Sequence, residues 1–127
     1  MRQIKFRAWD ESQKYMAKQG TPDLETIQSF FFHFGNFPLM QFTGLTDKNG
    51  VEIYEGDILL DVEFDENNND ISGKFPVVYD SSKCQFAIDN SFKQDGSSLV
   101  NFIEYFGVEN LEIVGNIFDN PEMLFSF

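Results

Sequence analysis

The run from Thr43 to Leu59, TGLTDKNGVEIYEGDIL, constrains the fold more than any other part of this 127-residue chain. Asn49-Gly50 suits a type I′ hairpin turn, because both central residues of that turn need positive φ. Asp47 and Lys48 lead into the turn, and Val51, Ile53 and Tyr54 begin the returning strand. Glu55-Gly56-Asp57 then punctuates the chain before a further strand. A hairpin, a sharp corner and another strand are the parts of small curved sheets and barrels.

The strand after the corner has the clearest period. Ile58, Leu60, Val62 and Phe64 alternate with Asp57, Leu59, Asp61, Glu63 and Asp65. That alternation predicts a half-buried strand with an acidic outer face. Near the start, Ile4, Phe6 and Ala8 alternate with Lys5, Arg7 and Trp9, which predicts a first strand with one apolar and one polar face. Further strands are expected at Lys74–Tyr79, Gln85–Asp89 and Glu112–Phe118, with Asp80-Ser81-Ser82-Lys83 as a turn. Glu11 to Asp23 is polar and reads as a loop. Leu24 to Phe34 fits a helix through Leu24, Ile27 and Phe31, or a strand through Phe30-Phe31-Phe32. Leu99 to Phe106 reads as a short helix, since Leu99, Phe102, Ile103 and Phe106 share one helical face. Asn120-Pro121-Glu122 reads as the start of a closing helix that packs Met123 and Leu124 inward. The expected fold is mainly β: a strongly bent antiparallel sheet or small barrel with one or two short helices, in a single domain over residues 1–127.

Three blocks of the sequence resemble the YopX-like family of small phage and prophage proteins. They are LMQFTGLTDKNGVEIYEGDIL beginning at Leu39, the opening MRQIKFRAWD, and the close LEIVGNIFDNPEML beginning at Leu111. The resemblance implies a compact β-dominated domain of phage or prophage origin. It brings no catalytic residues with it.

The net charge is −12, which repels nucleic-acid phosphate and anionic membrane. Positive charge gathers early, at Arg2, Lys5, Arg7, Lys14 and Lys18, and no Lys or Arg follows Lys93. The basic start and acidic end are expected to pair, within one chain or between subunits. Sixteen phenylalanines exceed what a chain this size readily buries, so an exposed apolar patch is expected, and with it a protein partner or homo-oligomer. The single Cys84 suits a reducing cytoplasm, and the charged N-terminus does not resemble a signal peptide. No segment reaches the ~20 apolar residues of a membrane span. The expectation is a cytoplasmic protein of the bacterial host.

Phe30, Phe31, Phe32, Phe34, Phe37 and Phe42 form the candidate partner or oligomer surface, or else belong to the core. Lys5, Arg7 and Trp9 form a candidate nucleic-acid contact, since cations beside an aromatic can neutralise and stack single strands. Nucleic acid remains the less favoured partner on charge. Asp57, Asp61, Glu63 and Asp65 make a carboxylate row, but alternate strand residues stand roughly 6.5–7 Å apart and diverge, so a solvated face is preferred to a hydrolytic metal site. Asp57 has a second expected role, accepting backbone N–H groups at the corner after Gly56. Asp65, Asn67 and Asn69 echo a calcium loop, yet Asp70 stands where glycine is needed and Pro76 where the bidentate glutamate is needed. His33 and Cys84 are read as structural, because nothing around either resembles a nucleophile and base. No cofactor is expected. The leading expectation is a non-enzymatic accessory protein, binding a protein partner or itself. A nucleic-acid binder and a metal-dependent hydrolase are the alternatives.

Overall fold

A computed structural model describes residues 4–20, 26–61, 64–70, 73–81, 84–89, 99–101 and 111–124. The elements are β1 (Phe6–Asp10), β2 (Tyr15–Lys18), α1 (Ile27–Phe34), β3 (Leu39–Thr46), β4 (Glu52–Tyr54), β5 (Asp57–Asp61), β6 (Gly73–Asp80), β7 (Gln85–Asp89), β8 (Leu99–Asn101) and β9 (Glu112–Asn116). A 3-10 turn at Pro121–Leu124 follows. Four strands join in the order β2-β1-β3-β4 and five in the order β8-β7-β6-β5-β9. Every named pairing is antiparallel. Over the described residues the protein is mainly β, a strongly curled half-barrel with one short helix.

The hairpin between β3 and β4 forms where the turn chemistry places it, but by a different turn. Gly50 takes φ 79° while Asn49 does not adopt positive φ. Gly50 N–H donates to Asp47 O at 3.0 Å, and Asp47 N–H donates to Val51 O at 2.8 Å. This is a three-residue loop with glycine in the left-handed position, the usual alternative to a two-residue type I′ turn. The β3–β4 register shifts between Phe42 and Thr46, around Gly44 at φ 91°. A bulge there bends the strand, and so adds curvature.

The corner depends on Gly56. It is buried at φ 86°. Its N–H donates to Val77 O and its carbonyl accepts from Ile117 N, both at 2.8 Å. A Cβ here would stand 3.1 Å from Met40 Sδ. Only glycine combines this φ with so close an approach.

Several segments differ from expectation. Residues 15–18, inside the expected polar loop, are a strand pairing with β1, with Ala8 opposite Ala17 and Trp9 opposite Met16. Asp10 Oδ1 accepts from Ser12 N and Gln13 N, and Lys14 takes φ 52°, so a tight turn returns the chain at once. Leu99–Asn101 is a strand against β7, not the start of a helix. The rest of that expected helix lies outside the described residues. The closing helix is a single 3-10 turn. Among the described residues the apolar interior has two centres: Ile53, Leu59, Phe75, Val77 and Leu111 in one, and Ala8, Ala17 and Phe30 in the other.

Candidate functional site

Helix α1 resolves the ambiguous phenylalanine run. Thr26 caps it, accepting from Ser29 N at 3.0 Å, and Gly35 N–H closes it on Phe31 O at 2.9 Å. Phe30 is fully buried against Ala8 and Ala17. Those facing alanines are small, which leaves a hollow that one ring fills. Phe34 lies 5.4 Å from Phe30 by ring centroid, and Phe37 lies 5.9 Å from Phe34. The inner stripe is therefore Phe30, Phe34 and Phe37. The expected stripe through Ile27 and Phe31 is instead partly outward, at 38% and 40% exposure. Phe32 is 84% exposed, with His33 edge-on to it at 5.1 Å. Phe31 still leans on Phe6, 5.1 Å away. Phe42 is buried beside Tyr54 at 5.5 Å.

The polar face of β1 points inward. Arg7 is 5% exposed and Asp57 2%. Arg7 Nη2 donates to Asp57 Oδ1 at 2.9 Å and to Glu55 O at 3.1 Å. Its guanidinium carbon lies 4.8 Å above the Tyr54 ring. Asp57 Oδ2 accepts from Tyr54 N at 2.8 Å, so this carboxylate does brace the corner, from the Tyr54 side. Burial pushes the Asp57 carboxyl up, against the pull of Arg7 and the Tyr54 N–H. Burial, with Glu52 nearby, pushes the Tyr54 phenol up to about 12. Trp9 is buried too, its Nε1 donating to Glu11 Oε2 at 2.6 Å and its ring stacked on Phe118 at 6.1 Å. Lys5 pairs with Glu52 and lies 5.0 Å from the Phe42 ring. Lys5, Arg7 and Trp9 thus do not form one outward patch. Among the described residues Lys5 pairs with Glu52 and Arg7 with Asp57, both in the central segment, while Asp95, Glu104 and Glu109 of the acidic tail lie outside those residues. The expected acidic outer face of β5 is likewise interior at Asp57 and Leu59.

Asp47, which leads into the turn, does more than the sequence suggests and organises the hairpin. Its Oδ1 accepts from Asn49 N at 2.8 Å and Val51 N at 2.9 Å, and its Oδ2 from Ile113 N at 3.1 Å. Lys48 N donates to Leu111 O at 3.0 Å beside it. The hairpin is thereby fastened to the approach and the start of strand β9. The Asp that precedes Asn-Gly is a recognisable turn former, but nothing local announces its third donor. Burial pushes the Asp47 carboxyl up, but the three N–H donors and the Lys48 charge outweigh it and hold it below its ordinary value. A depressed folded pKa stabilises the fold above the unfolded value and loses that contribution as pH falls through the folded one. Asp47→Ala should therefore cost about 2–3 kcal/mol at neutral pH, through orphaned N–H groups. The gap between wild type and variant should narrow in acid, as the ionisation-linked part of the contribution is lost. Urea unfolding on both sides of the usual carboxylate range measures this, and a gap just as wide in acid would contradict it.

The remaining candidates are occupied by local structure. Asp65 Oδ1 accepts from Asn67 N and Asn69 N at 2.9 Å each, with Asn68 at φ 63°. Those bonds, that from Asn69 N foremost, hold its carboxyl below the ordinary value. Among the described residues no three His, Cys, Asp or Glu side chains stand together as metal ligands. Glu63 and the side chain of Asp61 lie outside them. Cys84 is exposed at φ 52°, its Sγ 3.7 Å from Ser81 O.

Residues 5–125 match the family model described as YopX protein. The chain belongs to the YopX family. The match runs from the approach to β1 through the 3-10 turn, so it covers both sheets and α1. No curated protein matches this YopX chain. Among solved structures it is similar to the crystal structure of protein EF1440 from Enterococcus faecalis, at 25% identity. That similarity covers 98% of this chain and 99% of that one, with a TM-score of 0.58. Among the described residues no helix is long and apolar enough to cross a membrane.

Proposed function

We propose that this YopX protein is a phage or prophage accessory protein of the bacterial cytoplasm that acts without catalysis, as a protein-binding or regulatory module. The observation that carries this is Phe32, 84% exposed on a helix whose neighbouring Phe30 is fully buried. A large ring held outward on a helix capped at both ends is a preorganised anchor, and such anchors lose little entropy when they enter a pocket. Phe31 and Ile27 widen the apolar surface around it. The α1 sequence, IQSFFFHF, carries no acidic residue in a chain of net charge −12. Another protein, or a second copy, can approach there with little like-charge repulsion.

Phe32→Asp tests the reading. The tagged wild type should retain one host protein in stoichiometric amount, or sediment as an oligomer. The variant should lose that property with its melting temperature unchanged. Equal retention and equal sedimentation for both proteins would remove α1 as the contact surface.

A further inference from the structure

Asn49-Gly50 is the only Asn-Gly pair in the sequence, and Asn49 is exposed. Glycine offers no Cβ to hinder its own nitrogen, and the space beside Gly50 is open, with nothing within 4 Å of where a Cβ would stand. This is the arrangement in which a main-chain nitrogen can attack the preceding side-chain amide. We propose that Asn49 is the chain's spontaneous deamidation site, and that the Asp47 clasp holds the reaction in check. Gly50 N loses its proton to solvent base and attacks Asn49 Cγ. The N–Cγ bond forms, the Cγ–Nδ2 bond breaks, and Nδ2 leaves as ammonia with a proton from water. Water then opens the cyclic imide at either carbonyl, leaving aspartate or isoaspartate.

The clasp opposes the first step. The Gly50 N–H that must ionise already donates to Asp47 O at 3.0 Å. Asp47 Oδ1 fixes the N–H groups of Asn49 and Val51 on either side, so the loop cannot swing into the attack geometry. The same carboxylate places negative charge beside a nitrogen that must become negative. Reaction therefore waits on local opening of the turn. An isoaspartate product lengthens the main chain by a carbon, which breaks the spacing on which the Asp47 bonds depend.

The test is peptide mapping by mass spectrometry of the whole protein, incubated in mildly alkaline buffer with and without urea. In urea, the amide-to-carboxyl mass gain should appear at Asn49 before any other asparagine. Without urea it should be slower by on the order of tenfold, the factor set by local opening. Asp47→Ala, if folded by circular dichroism, should deamidate in plain buffer at close to the urea rate. Another asparagine reacting first in urea would overturn the site. Equal wild-type rates with and without urea would overturn the clasp, and that comparison stands even if Asp47→Ala does not fold.

Discussion

Arg7→Met is expected to lower unfolding free energy by about 3–5 kcal/mol, because it leaves Asp57 charged and buried without its cation. The neutral pair Arg7→Met/Asp57→Asn should lose less than Arg7→Met alone. The asparagine still offers an oxygen to the Tyr54 N–H, and no buried charge remains. In the native pair, the buried Arg7 Nε makes no hydrogen bond among the described residues, so within them the guanidinium is not fully compensated. The sign with pH follows from Asp57, whose folded pKa is raised by burial. An ionised carboxylate with a raised folded pKa weighs against the fold above that value, and the penalty disappears below the unfolded value. Losing Arg7 raises it further. The deficit of Arg7→Met should therefore shrink as pH falls toward the usual carboxylate range. Urea titrations of the three proteins across that range measure both effects. A deficit independent of pH, or a double variant worse than Arg7→Met, would show that the pair does not act through charge.

Phe30→Ala and Phe32→Ala should differ sharply, although they lie two residues apart on α1. Phe30 is fully enclosed by Ala8 and Ala17 and packs against Phe34. Removing its ring leaves a cavity and costs about 3–5 kcal/mol. Phe32 should cost no more than about 0.5 kcal/mol, as a surface substitution. Thermal or urea unfolding separates the two. Comparable losses at both positions would mean that Phe32 is packed in solution, against this chain or a second copy. The same pair divides stability from recognition: binding should follow Phe32 while folding follows Phe30.

The mainly β class and most strand positions were legible because they rest on local signals. Asn-Gly marks a hairpin, and Glu-Gly-Asp marks a corner. The turn type was not legible, because the Asp47 side chain, and not the φ of Asn49, decides the loop. On β1 and β5 the expected apolar positions Ala8 and Ile58 are interior, but so are Arg7 and Asp57 on the faces expected to be wet, and the ion pair between them explains both. Arg7 on β1 and Asp57 on β5 each look solvated beside their own neighbours, yet each is the other's partner across the fold. A period of two separates the faces of a strand but does not say which is wet when an oppositely charged strand lies opposite. The short strands β2 and β8 were missed because four and three residues carry little pattern, and pairing with β1 and β7 defines them. The phenylalanine cluster was recognisable as a group. Which ring points out was not, since the hollow that takes Phe30 is made by two alanines on other strands.

The place of β5, between β6 and β9, has a consequence during synthesis. β5 and β6 can pair as soon as both are made. The other edge of β5 must wait for β9, almost at the end of the chain, and the Asp47–Ile113 bond spans 66 residues of sequence. Until then Ile58 and Leu59 lie on an open strand edge that a neighbouring nascent chain can join. Slow passage through the codons between β8 and β9 would lengthen that exposure, so the yield of folded protein should depend on translation speed in that stretch as well as on the final stability.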